Sequence, residues 1–167
     1  MAKSLTQSYA ITLAAGAILL LALSCTYSLT GNLPGHIRSV EVQDFRSAAT
    51  EYGLDTELTA RVTEMLVKDG RLAVTGTQPD SRISGNVSSF SRTAYSYSAA
   101  EVVEEYKLTM QVNITFDDLV EEKKLLDGES VREWIVYDPD TESFDQAKER
   151  LLEVTSEEIV RKCLSGW

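Results

Sequence analysis

The most constraining feature of the sequence is a segment, residues 102–116, in which apolar and polar side chains alternate. Its even positions are almost all apolar, and its odd positions are almost all polar. Because successive side chains of a β-strand point to opposite faces, this pattern predicts one long strand. One face of that strand is expected to be buried, and the other to meet water or a polar partner. The rest of the chain must therefore supply a layer that covers one side of a sheet.

Other patterns supply further strands and two covering helices. Alternation predicts strands over residues 36–45, 72–76, 82–97 and 130–137, and the strand over 82–97 should contain a bulge near Ser88 and Ser89. Apolar residues at helical spacing predict one helix from Leu54 to Gly70 and a second over about 141–165. The order β-α-β-β-β-β-α predicts an α+β fold. In it, two amphipathic helices pack on one face of a mixed or antiparallel sheet of four to five strands.

Turn and cap residues predict where these elements end. Asp55 or Thr56 can cap the first helix, because a short side-chain oxygen accepts from the free N–H groups of the first turn. Gly70 is expected to end that helix in the left-handed conformation. Asp140 or Thr141 can cap the second helix, and residues 117–124 are expected to form a turn.

The N-terminal segment has the pattern of an export signal. Lys3 precedes an uncharged run over residues 10–23, which as a helix would span about 21 Å and is short for a ~30 Å bilayer. The run ends in Ala22-Leu23-Ser24-Cys25, which resembles the lipobox of bacterial lipoproteins, where the cysteine is acylated after cleavage. We therefore expect a signal peptide at residues 1–24, a lipidated tether at 25–35 beginning with Cys25, and a single α+β domain at 36–167. Thr26 resembles an outer-membrane sorting residue.

Charge and motif content exclude several classes of protein. The 26 acids outnumber the 16 bases, and a net charge of −10 argues against a nucleic-acid partner. No phosphate-binding loop or catalytic set is present, so the sequence indicates a protein that is not an enzyme and needs no cofactor or metal. His36, the sole histidine, is expected to be an exposed polar residue, and Cys163 to be a core residue.

A group of aromatic residues marks the candidate partner interface. Tyr95, Tyr97 and Tyr106 flank the loop of a predicted hairpin, and Arg92 lies just before them. Tyrosine provides a large contact area at low entropic cost, which is typical of interfaces. Ordinary strand tyrosines packed over the core would give the same pattern, and the sequence does not separate these two interpretations.

The chain as a whole resembles the lipopolysaccharide-assembly lipoproteins, the LptE family. The resemblance lies in the order and spacing of short motifs, namely the lipobox with Tyr27-Ser28-Leu29-Thr30-Gly31, Leu33-Pro34, Ile37-Arg38-Ser39-Val40, Gly53-Leu54, Asp69-Gly70-Arg71-Leu72, Ile83-Ser84-Gly85 and the strand from Tyr106 to Phe116 leading into Asp117-Asp118. It implies two helices on a sheet of four or more strands.

The resemblance also implies a role. Members of this family plug the lumen of an LptD-type outer-membrane β-barrel, help it to assemble and assist lipopolysaccharide transport, so direct contact with lipopolysaccharide is also implied. The protein would then be lipid-anchored at the outer membrane and face the periplasm. The alternative is an outer-membrane lipoprotein that activates a periplasmic cell-wall enzyme. A small-ligand binder is disfavoured, because nothing in the sequence suggests a large cavity.

Overall fold

The computed structural model describes residues 33–165, which contain six β-strands and two α-helices. In chain order these are β1 (Ser39–Val42), β2 (Arg46–Ser47), α1 (Leu54–Asp69), β3 (Ala73–Val74), β4 (Ser81–Tyr97), β5 (Val103–Asp118), β6 (Lys123–Tyr137) and α2 (Phe144–Ser165). The predicted α+β class is confirmed. Among the described residues, no helix is long and apolar enough to cross a membrane.

All six strands belong to one mixed sheet. Strands β4, β5 and β6 form an antiparallel meander, and the order across the sheet is β3-β1-β4-β5-β6. Strands β1 and β2 both pair in parallel with β4, and β3 pairs in parallel with β1. The sheet therefore has six strands where the sequence predicted four to five.

The additional strand, β2, lies just beyond the first predicted strand, which covered residues 36–45. Val42 pairs with Ile83 and Arg46 pairs with Asn86, so the chain from Val42 to Arg46 is one residue longer than the stretch of β4 beside it. The chain leaves the ladder between the two strands, and this places the Phe45 side chain in the core with 3% exposure.

The strand register agrees with the predicted alternation. The even positions of β5 are buried from Leu108 onward, and those with no solvent exposure are Leu108, Met110, Val112, Ile114 and Phe116. At the other end the prediction was wrong, because Val102 is 63% exposed and lies before the strand begins. The predicted bulge is present, because the register between β4 and β5 shifts between Val87 and Ser89. Because β4 contains one extra residue here, the side chains that follow point to the opposite face of the sheet from the one their sequence position would give. Phe90 therefore pairs with Met110 on the buried face.

The turn after β5 is shorter than predicted. Residues 117–124 were expected to form it, but Asp117 and Asp118 still belong to β5, and Lys123 and Lys124 pair with them as the start of β6. The charged composition suggested a loop, yet β6 is an edge strand whose first residues are exposed to water. Charged side chains are common at such an edge.

The helix starts also differ from the predictions. Helix α1 begins after Gly53, whose φ of +81° lies in the left-handed region, and there is no side-chain cap. Asp55 and Thr56 therefore lie in the first turn. The predicted end at Gly70 is confirmed, with a φ of +74° and a hydrogen bond from its N–H to the Leu66 carbonyl.

The second helix uses a cap that the sequence interpretation missed. The Ser143 hydroxyl accepts from the Gln146 N–H at 3.3 Å, and the Gln146 side chain accepts from the Ser143 N–H at 3.0 Å. This reciprocal pair is a capping box and sets the start of α2, so Asp140 and Thr141 do not cap it.

Both helices contribute to the same core as the even face of β5. Cys163 of α2 is fully buried there, as predicted, and burial raises the pKa of its thiol to about 12. Among residues 33–165, only one face of the sheet is packed in this way. The opposite face, which we call the outer face, contains the odd positions of β5 and the residues that pair with them.

Candidate partner interface

The tip of the β4–β5 hairpin presents Tyr95 and Tyr97 to solvent. Their side chains are 54% and 61% exposed. The Ser98 N–H donates to the Val102 carbonyl at 2.8 Å and closes the loop. The Ser96 hydroxyl donates to the Glu105 carboxylate at 2.9 Å and joins the two strands just below. The two exposed tyrosines are therefore carried on a hydrogen-bonded hairpin.

The other two candidate residues, Arg92 and Tyr106, lie lower on the same hairpin and contact each other. The Arg92 guanidinium lies 3.8 Å from the centre of the Tyr106 ring, and Phe144 and Tyr137 are further ring neighbours at 5.6 and 5.4 Å. The Tyr106 and Tyr137 rings stack with centroids 5.9 Å apart. This arrangement, which we call the Arg92 cage, holds the base of the hairpin against the start of α2.

The cage has an electrostatic consequence for Tyr137. Its hydroxyl is buried, and it forms no hydrogen bond within residues 33–165. Burial raises the pKa of Tyr137, although the nearby Arg92 charge lowers it in part. No carboxylate of the described chain forms an ion pair with Arg92, which is exposed to solvent and lies against the face of the Tyr106 ring.

One exposed aromatic residue was missed by the sequence interpretation. Tyr52 is 95% exposed in the loop before α1. The neighbouring residues Thr50 and Glu51 line a groove together with Phe90 and Arg92, so this loop runs beside the base of the hairpin. A single tyrosine in a loop has no periodic pattern, and its exposure could not be predicted from the sequence.

The outer face of the sheet is polar along three adjacent strands. The Gln111 amide donates to the Ser130 hydroxyl at 3.2 Å across this face. Most of its other side chains carry hydroxyl, amide or basic groups, and its central residues are Ser84, Asn86, Ser91, Thr93, Lys107, Thr109, Gln111, Asn113, Thr115, Ser130, Arg132, Trp134 and Val136. None of these central residues is a carboxylate, whereas the odd positions toward the two ends of β5 include the carboxylates of Glu105 and Asp117.

Trp134 is the largest apolar group on this face. Its side chain is 51% exposed, and the Lys107 ammonium lies 4.2 Å from the centre of its ring. Thr109, its pairing partner on β5, is buried although it belongs to the polar face. Lys107 and Arg132 give the centre of the outer face a positive charge in a protein whose net charge is −10.

His36 does not have the exposed position that the sequence suggested. Its side chain is 29% exposed, and its Nε2 lies 2.7 Å from the buried carboxylate of Asp118. The prediction of an uncommitted surface histidine was wrong, because the partner comes from the end of β5, 82 residues further along the chain. The predicted lipidation site, Cys25, lies outside the described residues.

The described residues thus form a two-layer α+β domain with one polar sheet face that the two helices leave uncovered and an aromatic hairpin at one end. The sequence model of the lipopolysaccharide-assembly (LptE) family matches residues 37–165, and the chain belongs to that family. The LptE proteins are non-enzymatic lipoproteins that act with an outer-membrane partner in lipopolysaccharide transport. The resemblance found in the sequence is confirmed. The chain matches none of the curated proteins with which it was compared.

Several solved structures share the fold at low sequence identity. A hypothetical protein from Chlamydia trachomatis is 9% identical, with a TM-score of 0.57 over 75% of this chain and 95% of that one. Lipoprotein B from Nitrosomonas europaea is 14% identical, with a TM-score of 0.54 over 81% and 88%. The rare lipoprotein B from Shewanella oneidensis is 17% identical, with a TM-score of 0.50 over 73% and 92%. These likenesses show the fold.

Proposed function

We propose that this protein is anchored in the outer membrane through acylated Cys25 and faces the periplasm. There it plugs an LptD-type β-barrel, assists its assembly and assists lipopolysaccharide passage, without catalysing a reaction. The observation that carries the proposal is the uncovered outer face. In the described domain the helices pack on one side of the sheet only, and the other side offers hydroxyl and amide groups over three strands.

A polar surface of this kind suits the interior of a transmembrane barrel. The lumen of such a barrel is lined by polar side chains, because its strands place apolar residues outward and polar residues inward. Groups such as Thr93, Gln111 and Asn113 can exchange bound water for contacts with such a wall at little cost, since both surfaces are hydrated before they meet.

The hairpin supplies the anchoring residues of the proposed interface. Tyr95 and Tyr97 are exposed, and the Arg92 cage fixes the strands beneath them against α2. A pre-ordered aromatic tip loses little conformational entropy when it is buried, and aromatic anchors often dominate binding energy. Direct contact with lipopolysaccharide would use Lys107 and Arg132 of the outer face, which can pair with phosphate groups.

Site-specific photo-crosslinking in intact cells tests this arrangement. A benzophenone side chain would be placed at Thr93 on the outer face, at Tyr97 on the hairpin and, as the matched control, at Glu153 on the exposed side of α2. We expect Thr93 and Tyr97 to give adducts with a large outer-membrane barrel, and Glu153 to give clearly less.

Depletion of the protein provides the second measurement. We expect the partner barrel to be misassembled and lipopolysaccharide to be undelivered to the outer leaflet. If the adducts instead contain a periplasmic cell-wall enzyme and lipopolysaccharide delivery continues after depletion, the role as an activator of that enzyme is correct and the plug role is wrong.

A further inference from the structure

A separate cluster of side chains lies at the opposite end of the sheet from the hairpin. His36, just before β1, lies between two carboxylates of the β5–β6 turn. Its Nε2 is 2.7 Å from Oδ2 of Asp118, and its Nδ1 is 3.7 Å from Oε1 of Glu121. The three residues can each offer a ligand atom, and these atoms all lie within 4.8 Å of one another.

Asp118 is held in one orientation by its own turn. Its Oδ1 accepts from the N–H groups of Val120 and Glu121 at 3.0 and 2.9 Å, and its side chain has no solvent exposure. With Oδ1 engaged by these two backbone donors, Oδ2 of the carboxylate lies 2.7 Å from Nε2 of His36 and accepts its hydrogen bond.

This hydrogen bond determines which ring nitrogen of His36 carries the proton. Nε2 must be the donor, because an ionised carboxylate can only accept. In a neutral imidazole, Nδ1 then has a lone pair, and that lone pair faces the negative Oε1 of Glu121. Two electron-rich atoms this close repel each other unless a proton, a water molecule or a metal cation lies between them.

We propose that Nδ1 of His36 and Oε1 of Glu121 bind a divalent first-row transition-metal cation such as Zn²⁺, with Asp118 as the positioning residue behind the histidine. Zinc–nitrogen and zinc–oxygen bonds are about 2.0–2.2 Å long, so atoms 3.7 Å apart can share one ion at an angle near 120°. A carboxylate that orients a ligating histidine from its other nitrogen is a recurrent arrangement at metal sites.

The surroundings of the proposed site determine its access to solvent and how tightly it can bind an ion. Glu121 is half-exposed, so water can complete the coordination of the ion. The other oxygen of Glu121 pairs with the Lys123 ammonium, which leaves Oε1 for the metal and opposes very tight binding. An ion bound here would join the start of the domain, where the predicted tether ends, to the β5–β6 turn.

The single histidine of the sequence makes the test direct. The full mature chain, purified in detergent without a histidine tag and labelled with ¹⁵N, would be titrated with ZnCl₂ at constant pH. The ring nitrogens of His36 would be followed by long-range ¹H–¹⁵N spectroscopy. We expect a saturable shift confined to Nδ1, while Nε2 keeps its proton.

Three variants make the result specific. Glu121→Gln is expected to weaken zinc binding at least about tenfold, and Asp118→Asn by about 10–100-fold, as is usual for a lost partner of a ligating histidine. Glu122→Gln changes an adjacent carboxylate outside the cluster and should leave binding unchanged.

Two outcomes would overturn the proposal. One is that both ring nitrogens carry protons and do not respond to zinc at millimolar concentration. That result would show that a proton on Nδ1 of His36 lies between this atom and Oε1 of Glu121. The other is that zinc shifts Nδ1 equally in the parent protein and in Glu121→Gln.

Discussion

Gly85 of β4 provides the sharpest test of the packing between the sheet and the segment that crosses from β1 to β2. A Cβ atom added at this position would lie 2.4 Å from Cε1 and 2.7 Å from Cδ1 of the Phe45 ring. It would also lie 3.0 Å from the carbonyl oxygen of Asn113 on β5. Alanine at residue 85 therefore cannot be accommodated unless the buried ring moves.

The expected cost follows from two opposing effects. Overpacking of a close-packed core costs about 1–3 kcal/mol. Replacing glycine by alanine within a strand restores about 0.5–1 kcal/mol, because the unfolded chain loses freedom. Gly85→Ala should therefore destabilise the protein by about 1–2 kcal/mol, which for a domain of this size lowers Tm by roughly 3–8 °C.

Thermal unfolding of the mature chain, followed by circular dichroism, measures the effect. Gly76→Ala is the matched control, because a Cβ there meets nothing within 4 Å, and it should leave Tm unchanged or slightly raised. Phe45→Leu, which shortens the side chain that blocks residue 85, should cost less in the Gly85→Ala background than in the parent. Equal melting temperatures for Gly85→Ala and Gly76→Ala would refute the predicted contact.

Further predictions concern the register, one carboxylate and the anchor. Met110→Asp buries a carboxylate without a partner and should lower the free energy of unfolding by about 3 kcal/mol or more. Gln111→Asp on the outer face should lower it by only about 0.5 kcal/mol. Similar denaturation midpoints for the two variants would show that the register is wrong. The pKa of Glu133 is raised by burial and by the nearby carboxylate of Glu158, so the folded state is less stable when Glu133 ionises. Stability should fall as pH rises from the ordinary glutamate pKa through the raised one, and Glu133→Gln should raise Tm at pH 7 but not near pH 3. Cys25→Ser should abolish metabolic labelling with palmitate, and retained labelling would contradict lipidation.

The long strands could be predicted well because the alternation of apolar and polar residues lies within each strand. The side chains of residues 102–116 alternate with the period of a strand, so the buried face could be read directly. Thr109 is an exception to this pattern. It belongs to the polar face, yet it is only 9% exposed, since it pairs with Trp134 of β6. Which neighbour covers a residue is decided by the pairing of strands, and composition does not contain that information.

Contacts between distant segments could not be predicted from the sequence. The hairpin tyrosines were visible as a cluster of aromatic and small polar residues, but the Arg92 cage requires Tyr137 and Phe144 from later elements. The pairing of His36 with Asp118 likewise depends on how β1 and the end of β5 flank Ser81 of β4 at one end of the sheet. Short strands such as β2 and β3 contain two residues each, too few to show any period.

The protein is acidic, yet the proposed contact is with an anionic lipid. The distance between the acids of the helix layer and the outer face of the sheet reconciles the two. The electrostatic field of a surface charge decays over about 8 Å at physiological ionic strength. A helix about 10 Å in diameter packed behind a sheet places its outward acids, such as Glu153 of α2, roughly 15 Å from the opposite sheet face. That separation is close to two screening lengths for exposed charges in solution, so the acids of α2 act on an anion at the outer face more weakly than Lys107 and Arg132, which lie on that face.

The last prediction follows from this distance and from the proposed lipopolysaccharide contact. Removing a positive charge at the centre of the outer face, by Lys107→Gln or Arg132→Gln, should weaken binding of lipopolysaccharide micelles several-fold. The loss should shrink as salt is added, because screening already reduces the contribution of each charge. Glu153→Gln changes the net charge by the same amount in the opposite direction, but on the far side of the domain, and should have little effect. Binding that instead follows net charge alone, whichever face is altered, would show that the outer face has no special role.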